Sequence, residues 1–312
     1  KFHYKYLAMS NSITVLGIFV ADLCFKGKNI PRVGETQIGD NFQINPGGKG
    51  SNQAITIAKL EGDVNFITRI GEDEYGKMAL EIYQSSGVKV DGVIKDRNKP
   101  TGVAGIFIDE KGNNSIDVIP GVANNISKED IDNNLDSLKN SKIFLTQLET
   151  PIEVNMYALD KAKENNCITI LNPAPANIIN KQYFKLIDYF TPNETEVEFY
   201  LNRKIDKIED LNKAGNDLLN LGFKNIIITL GEKGAYFKNE NEEYLVEEYK
   251  LKNKVIDTTG AGDVFNGAFA CALANNKKIK DAIIFANKVA AISTTKLGAA
   301  NSIPTLDQVN SN

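Results

Sequence analysis

A glycine-rich turn between an apolar segment and a helical pattern constrains this chain more than any other part of the sequence. The turn reads Asp-Thr-Thr-Gly-Ala-Gly-Asp over residues 257–263. Residues 255–256 (Val-Ile) are typical of the end of a strand, and Phe265, Phe269 and Leu273 repeat at helical spacing. The first N–H groups of such a helix lack acceptors within it and lie at the positive end of its dipole. The pattern therefore predicts a strand, an anion-binding turn and a helix.

Asp263 places a carboxylate at the edge of this predicted anion site. A negative side chain beside a phosphate is unfavourable unless it has a role there, such as taking a proton from an attacking hydroxyl. The alternative is an ordinary acidic residue in the first turn of a helix, where the dipole favours negative charge. The turn by itself leaves both interpretations open.

Three further polar segments lie upstream of this turn. Residues 45–54 read NPGGKGSNQA and open a second helical pattern that includes Ala54 and Ile57. Residues 148–151 read LETP, and residues 191–196 read TPNETE.

With these four segments in this order, the chain resembles the ribokinases of the PfkB family of carbohydrate kinases over residues 13–304. The resemblance implies an α/β protein with the ribokinase-like three-layer α/β/α fold, in which a doubly wound, mostly parallel sheet carries a small β-sheet lid. It also implies ATP-dependent phosphorylation of the primary hydroxyl of a small sugar, ribose first. Mg²⁺ and an activating monovalent cation, K⁺, are the implied cofactors.

The chain length indicates one large domain. With 312 residues, the chain exceeds the size at which a single core grows easily, so a large α/β domain with an appendage is expected over residues 9–312. The first eight residues match nothing in the family. They are set aside as a tail, for which an expression remnant is one explanation.

Composition and charge exclude several classes of protein. The net charge of −4 and the absence of a basic stripe argue against nucleic acid as a partner, and no apolar run approaches the length of a membrane span. Cys24, Cys167 and Cys271 form no CxxC pair and are typical of reduced thiols in a cytoplasmic protein. Since His3 is the only histidine, a Ser-His-Asp hydrolase or a histidine-ligated zinc enzyme is excluded.

Apolar runs of strand length alternate with helical patterns in the second half of the chain, as in a doubly wound sheet. Strands are expected over residues 64–70, 143–148, 167–171, 187–190 and 225–230, and a helix over residues 151–165. Right-handed connections would place helices on both faces of this sheet.

The apolar run Ile13–Val20 predicts a first buried strand that ends at Asp22. Ligands of α/β proteins bind beyond the carboxyl ends of parallel strands, so Asp22 is expected at the site. The alternative is a carboxylate in an ordinary turn. The resemblance favours a carboxylate that accepts hydrogen bonds from two sugar hydroxyls.

Two regions, about residues 22–45 and 99–124, carry short β-prone segments instead of a helix. Residues 110–113 (Glu-Lys-Gly-Asn) predict a hairpin turn within the second region. By resemblance, these insertions form the lid over the sugar and pair with the lid of another subunit, which implies a homodimer.

The resemblance assigns the chemistry and the sugar to the two glycine turns. Asp263 matches the general base, and the backbone N–H groups of Gly260, Ala261 and Gly262 match the donors that stabilise charge on the transferring phosphoryl group. The sugar-binding positions are Val20, Asp22, Gly48, Lys49, Gly50, Ser51, Asn52 and Glu149. Because no GK[ST] pattern is present in the first turn, a P-loop nucleotide site is excluded.

The resemblance also places the nucleotide and the cations. The nucleotide positions are Asn193, Thr229, Leu230, Gly231, Glu232, Lys233, Gly234, Gly262 and Asn287. Glu196 is expected to position Mg²⁺ largely through water. A helix-capping role for Asn193 and Glu196 is a second interpretation, compatible with the first. The monovalent-cation loop is matched by Asp257, Thr259, Ser293, Lys296, Gly298 and Ser302, mostly through backbone carbonyls.

One position departs from the pattern. Ribokinases carry asparagine two residues before the sugar-binding aspartate, where this chain has Val20. Valine cannot hydrogen-bond a hydroxyl, so 2-deoxyribose, another pentose or ketose, or a nucleoside remain alternatives to ribose.

Two other classes of function remain to be weighed. An NAD-dependent dehydrogenase would need G-x-G-x-x-G after the first strand, and residues 13–22 contain only Gly17. A sugar- or nucleotide-binding regulator without catalysis would be expected to have lost Asp263 or the glycines, and the chain retains both.

Overall fold

Two sheets organise the computed structural model, which describes residues 11–205 and 207–312. The eight-residue tail of the sequence lies outside the described residues. The strands are β1 (Ile13–Leu16), β2 (Val20–Lys26), β3 (Asn41–Gly47), β4 (Val64–Gly71), β5 (Val93–Asp96), β6 (Thr101–Ile108), β7 (Asn114–Gly121), β8 (Ile143–Thr146), β9 (Ile168–Leu171), β10 (Tyr189–Phe190), β11 (Asn225–Thr229), β12 (Ala235–Lys238) and β13 (Glu243–Val246).

The central sheet has nine strands in the order β13-β12-β11-β10-β9-β8-β1-β4-β5. The neighbours from β11 to β5 pair in parallel, and β12 and β13 add an antiparallel edge. Four strands form the small sheet, in the order β3-β2-β6-β7. Its pairs are antiparallel except for β2 with β6.

Helices cover both faces of the central sheet. They are α1 (Lys49–Lys59), α2 (Glu74–Ser86), α3 (Lys128–Asp132), α4 (Leu135–Lys139), α5 (Ile152–Glu164), α6 (Glu194–Leu201), α7 (Glu209–Leu221), α8 (Ala261–Ala274), α9 (Ile279–Ser293), α10 (Ala299–Ser302) and α11 (Leu306–Ser311), with 3-10 turns at Val122–Asn125, Lys181–Leu186 and Gly231–Lys233. The apolar core on one face includes α1, α2, α8 and α9, and the core on the other includes α3 to α7. The three-layer α/β/α architecture is confirmed.

Strand β1 shows how the two cores divide the sheet. Ile13 and Val15 belong to the core around α8, whereas Leu16 belongs to the opposite core. Successive side chains of a strand point to opposite faces, so a strand in the middle of the sheet is buried on both. The one polar residue of β1, Thr14, shares a hydrogen bond with Ser141 at 2.8 Å. Helix α8 is likewise buried from Asp263 to its end. Among residues 11–205 and 207–312, no helix is long and apolar enough to cross a membrane.

The prediction of one strand over Ile13–Val20 was wrong. Strand β1 ends at Leu16 although the sequence stays apolar, and Val20 begins β2, which pairs with β3 and β6 in the small sheet. Both halves are buried, and an apolar sequence does not reveal which sheet a segment joins. Asp22 therefore lies within a strand of the small sheet and not at the end of a central strand.

The strand predicted before the second glycine turn was also wrong. Val255 and Ile256 are 49% and 59% exposed, and the segment has no strand pairing. It is held by Thr294, whose carbonyl accepts the N–H groups of Ile256 and Asp257 at 2.8 and 3.1 Å. The structure also adds β5, β12 and β13, which were not predicted. The strands predicted over residues 64–70, 143–148, 167–171, 187–190 and 225–230, the helix over 151–165 and the hairpin at 110–113 are present, with small shifts at their ends.

Candidate active site

At the N-terminus of α8, the backbone N–H groups of Gly262 and Asp263 meet no acceptor in the described part of the chain. Gly260 is the N-cap, with φ +75°, and a Cβ there would lie 2.9 Å from the Cβ of Ala299, so glycine is required. The N–H of Ala261 is used locally, by the carbonyl of Thr258 at 3.1 Å. A helix end with two N–H groups that no described residue accepts is suited to an anion.

Gly262 adds room at the same place. A Cβ on Gly262 would meet no other atom within 4 Å, apart from its chain neighbours and its own helix backbone. The side of this peptide is therefore open, which would let a ligand approach the backbone closely. The turn combines free donors with access, the two properties that a phosphate site needs.

Asp263 is buried in the first turn of α8, with an exposure of 8%. Its Oδ2 accepts a hydrogen bond from Asn52 Nδ2 at 2.8 Å. Burial raises the pKa of Asp263 above its ordinary value, and the charge of Lys49 and the bond from Asn52 oppose that rise. A carboxylate with a raised pKa is a stronger proton acceptor, so this environment suits a general base.

The first glycine turn packs directly on the chain that leaves β1. Gly48, with φ +93°, is the N-cap of α1, and a Cβ there would lie 2.4 Å from the carbonyl oxygen of Ile18. The N–H of Lys49 donates to Glu149 Oε2 at 2.9 Å, and the N–H of Ser51 donates to Ile18 at 3.3 Å. Protein acceptors therefore occupy two donors of this helix end.

Lys49 lies among carboxylates. The charge of Asp263 is the largest cause that raises the pKa of the Lys49 ammonium, while burial opposes it. Burial raises the pKa of Glu149 to about 7, although the charge of Lys49 lowers it. The lysine thus partly compensates a site that would otherwise be strongly negative.

Glu149 is positioned by a buried amide. Asn155 Nδ2 donates to the carbonyl of Gln147 and, at 2.8 Å, to Thr150 Oγ1, so it bonds the chain on both sides of Glu149. Thr146 Oγ1 donates to Asn155 Oδ1 at 2.9 Å and completes the cluster. These contacts fix the carboxyl end of β8.

Asp22 enters the site from the small sheet. A Cβ on Gly47, in the neighbouring strand, would lie 2.4 Å from both carboxylate oxygens of Asp22, so the carboxylate lies directly against that glycine. Burial, followed by the charge of Asp263, raises the pKa of Asp22 to about 7, and Lys49 opposes the rise. The carboxylate is thus electrostatically coupled to both glycine turns.

Val20 lies on the same face of β2 as Asp22, because residues two apart in a strand share a face. Its side chain is 3% exposed and packs in an apolar cluster with Ile18, Ala104 and Ile106. The position that departs from the ribokinase pattern is therefore apolar in its surroundings as well as in its side chain.

The predicted nucleotide loop at residues 229–234 contacts the start of α6 and also β13, the strand to which Asn287 is bonded. The N–H of Thr229 donates to Pro192 at 2.9 Å, and Lys233 Nζ lies 3.8 Å from Glu194 Oε1. A Cβ on Gly234 would lie 2.0 Å from the carbonyl of Val246, the same carbonyl that accepts Asn287 Nδ2 at 3.3 Å. Asn287 Nδ2 is thus committed to the backbone, and its Oδ1 bonds no described group.

Asn193 and Glu196 form a capping box at the start of α6. Asn193 Oδ1 accepts the N–H of Glu196, and Glu196 Oε2 accepts the N–H of Asn193, both at 2.8 Å. Burial raises the pKa of Glu196 to about 7. The helix-capping interpretation therefore describes this geometry. The other carboxylate oxygen of Glu196, Oε1, takes no part in the capping box.

The predicted cation positions lie on two segments joined by Asp257. Its Oδ1 accepts the N–H of Thr259 and its Oδ2 accepts the N–H of Gly298, both at 2.9 Å. Burial acts to raise the pKa of Asp257, but these bonds hold it below its ordinary value. Ser293 and Ser302 donate their hydroxyls to helix carbonyls, at 2.7 and 2.8 Å, and Lys296 donates its N–H to the carbonyl of Ser293 at 3.3 Å.

A row of buried polar side chains near the site was not predicted. It comprises Gln53, Gln147, Asn172, Thr191 and Asn266. Their positions in the sequence could have revealed them. Gln147, Asn172 and Thr191 directly follow the ends of β8, β9 and β10, where α/β proteins bind ligands.

Comparison with known proteins identifies the family. The model of the pfkB family carbohydrate kinases matches residues 10–306. The chain is 36% identical to a ribokinase of Staphylococcus aureus, covering 97% of this chain and 99% of that one. It is 34% identical to a deoxyribokinase of Salmonella typhi, covering 96% and 97% respectively.

A solved structure agrees with this assignment. The structure of Arabidopsis thaliana ribokinase complexed with ribose and ATP superimposes with a TM-score of 0.90 at 31% identity, covering 97% of this chain and 98% of that one. The chain therefore belongs to the PfkB family of carbohydrate kinases, and it is an ATP-dependent sugar kinase.

Proposed function

We propose that this kinase transfers the γ-phosphoryl group of ATP to the primary hydroxyl of ribose and releases ribose 5-phosphate. One observation carries the proposal: Asp263, at the free N-terminus of α8, is hydrogen-bonded to Asn52 of the first glycine turn. This hydrogen bond joins the proton acceptor at the anion-binding end of α8 directly to the polar turn that opens α1.

In this mechanism, Asp263 takes the proton of the attacking hydroxyl. The backbone N–H groups of Gly262 and Asp263, which have no acceptor among the described residues, stabilise the charge on the transferring phosphoryl group, the contribution that dominates phosphoryl transfer. The N–H of Ala261, expected to share this role, donates to Thr258 instead. The lysine at position 49 compensates the carboxylates. The sugar hydroxyls are held by Asp22, Asn52 and Glu149, with the turn at residues 48–51.

The structure supports 2-deoxyribose as a second substrate. Residue 20, where ribokinases carry asparagine, is a valine packed among apolar side chains and offers no hydrogen bond to a sugar hydroxyl. A pocket without that partner loses its discrimination against a deoxy sugar. The proposed substrate range is therefore ribose and 2-deoxyribose.

The nucleotide is assigned to the loop at residues 229–234, Asn193 and Asn287. The contacts of Thr229 with Pro192 and of Lys233 with Glu194, beside Asn193, support this assignment. Among the described residues, no group of three His, Cys, Asp or Glu side chains could hold a metal ion. Mg²⁺ fits this arrangement only as an ion held by the phosphates and by water, with Glu196 as the protein carboxylate. When bound, it would neutralise phosphate charge.

A monovalent cation, K⁺, is assigned to the two segments that Asp257 joins. The cation would order the turn at residues 257–262, since the segment at residues 293–302 contacts this turn through Gly298 and Ala299. We expect K⁺ to raise the rate several-fold over Na⁺ or Tris at equal ionic strength. Equal rates in the three buffers would contradict this assignment.

The outer face of the small sheet is assigned to a homodimer. Phe25, Phe42 and Phe107 are 40–50% exposed and stack on one another, with ring centroids 5.0 and 5.3 Å apart. An exposed apolar sheet face is unfavourable in water and is removed by pairing. Phe25→Asp should convert a dimer to a monomer in analytical ultracentrifugation, and a wild-type monomer would refute the assignment.

A cytoplasmic location is also proposed. Cys24, Cys167 and Cys271 are unpaired in the structure, which suits a reducing compartment.

A panel of sugars with ATP, Mg²⁺ and K⁺, read by ADP release, tests the function. We expect ribose and 2-deoxyribose to give the highest kcat/KM, followed by other pentoses and nucleosides. Turnover of a nucleoside or a hexose in preference to both would overturn the proposed substrate.

A further inference from the structure

The buried polar side chains at the carboxyl edge of the central sheet form one connected set, called here the amide network. Its members are Gln53, Gln147, Asn172, Thr191 and Asn266, and each is at most 6% exposed. They come from α1, from the ends of β8, β9 and β10, and from α8. The set therefore joins the two helices that carry the glycine turns.

The first half of the network begins at the sugar side. Gln147 Nε2 donates to Gln53 Oε1 at 2.5 Å, and Gln53 Nε2 donates to Asn172 Oδ1 at 3.2 Å. Asn172 Nδ2 then donates to the carbonyl of Thr191 at 3.2 Å. Helix α1 is in this way tied to the ends of three parallel strands.

The second half of the network ends on the anion turn. Thr191 Oγ1 donates to Asn266 Oδ1 at 2.5 Å, and Asn266 Nδ2 donates to the carbonyl of Gly262 at 2.9 Å. That carbonyl belongs to the same planar peptide as the N–H of Asp263. The network therefore fixes the direction of an N–H group that no described residue accepts.

The fold itself does not explain this chain of amides. A buried hydrogen-bonded pair contributes little more to stability than two apolar groups of the same shape. The peptide it ends on is one that needs support, because Gly262 has no side chain and its open side gives no packing. A role in orientation accounts for both features.

We propose that the amide network positions the peptide between Gly262 and Asp263 relative to the sugar-binding helix α1, with Thr191 and Asn266 as positioning residues. The proposal rests on the proposed function. Misplacement of a catalytic group by about 1 Å can reduce a rate by roughly 10²-fold. The network should consequently act on kcat more than on the KM of the sugar.

The test compares two buried threonines: Thr191, just after the carboxyl end of β10, and Thr169, near the amino end of the neighbouring strand β9. Thr191→Val keeps the shape but removes the donor to Asn266, and Thr191→Ser keeps the hydroxyl but removes the methyl group. Thr169→Val is the control, since Thr169 is fully buried on β9 and donates to Leu186 at 2.5 Å, away from the site. Melting temperature and steady-state kinetics are measured for all three.

We expect Thr191→Val to lower kcat about 10-fold or more, with the KM of the sugar changed by less than about twofold. Thr191→Ser should retain kcat within about threefold of wild type although it loses stability through the missing methyl group. Thr169→Val should lose stability with kcat within about twofold of wild type.

Asn266→Ala provides a second variant in case Thr191→Val fails to fold. Alanine is the best helix former, and Thr191 Oγ1 can turn to the carbonyl of Leu171 at 3.3 Å, so its hydroxyl keeps a partner. We expect a loss of kcat at least as large as for Thr191→Val.

Two results would overturn the proposal. One is an unchanged kcat in the folded Thr191→Val or Asn266→Ala variant, and the other is an equal loss of kcat in Thr169→Val. A wild-type protein that phosphorylates no sugar would instead refute the proposed function, so the two failures are distinguishable.

Discussion

The two glycine turns look alike in sequence and differ in what their helix ends leave free. At α1, Glu149 and Ile18 accept the N–H groups of Lys49 and Ser51. At α8, the N–H groups of Gly262 and Asp263 have no acceptor among the described residues. The first turn therefore offers a ligand fewer free backbone donors than the second turn does. A neutral polyol suits the first and a phosphate suits the second.

The largest expected effect comes from the side chain at the second turn. Asp263→Asn should lower kcat by roughly 10²-fold or more and leave ATP affinity within a few-fold, because it removes a general base without changing the shape. Asp281→Asn is a matched control, since Asp281 is also an acid in the first turn of a helix, α9. Steady-state kinetics with calorimetric ATP titration measure both quantities. An Asp263→Asn enzyme with wild-type kcat would show that Asp263 is not the general base and that the second turn supplies only backbone donors.

The backbone of the second turn gives the next effect. In Gly262→Ala, the new Cβ meets no neighbouring atom, so the variant should gain about 1 kcal/mol in free energy of unfolding. The same methyl group fills the open side of the peptide and should lower kcat/KM roughly 10-fold by keeping the phosphate away. Urea denaturation and kinetics are the measurements. A variant that is both more stable and fully active would show that the phosphate does not approach there.

The first turn and the small sheet are tested by sugar discrimination. Val20→Asn should raise the ratio of kcat/KM for ribose over 2-deoxyribose by about 10-fold, because an asparagine that loses its hydroxyl partner penalises the deoxy sugar. Cys24→Ser, a polar change on the same face of β2, should leave the ratio unchanged. If Val20→Asn does not move the ratio toward ribose, then Val20 does not determine specificity.

The smallest effect concerns the pH dependence of stability at the first turn. Because the pKa of Glu149 is raised to about 7, the folded protein binds its proton more tightly than the unfolded chain does. Its stabilising contribution is therefore full below the ordinary pKa and is lost as the pH rises through about 7. Glu149→Gln should reduce the fall in free energy of unfolding between pH 5 and pH 8 by roughly 2 kcal/mol.

Urea denaturation at the two pH values measures this difference. Glu153→Gln, an exposed position on the following helix α5, is the control and should leave the fall unchanged. An identical fall in wild type and Glu149→Gln would mean that Lys49 keeps the carboxylate ionised throughout the range.

The sequence was a good guide to the parallel sheet and its helices. Buried parallel strands are mostly apolar on both faces, so they appear as apolar runs, and β4, β8, β9 and β11 were found in this way. The edge strand β13 was missed because it is only partly buried, whereas β12 is buried throughout but too short, at four residues, to be told from other short apolar runs. The exposed residues Val255 and Ile256 were mistaken for a strand because apolar composition alone does not report burial.

The sequence by itself determined that two glycine turns open two helices and that Asp263 follows one of them. Glycine reveals such turns because few other residues adopt their backbone angles or allow so close an approach. Only the tertiary structure decided that Asn52 bonds Asp263, that Asp22 comes from the small sheet and that buried amides connect α1 to α8. These contacts join residues that are far apart in the chain, and which side chains meet is set by how the elements pack, a property that no local pattern records.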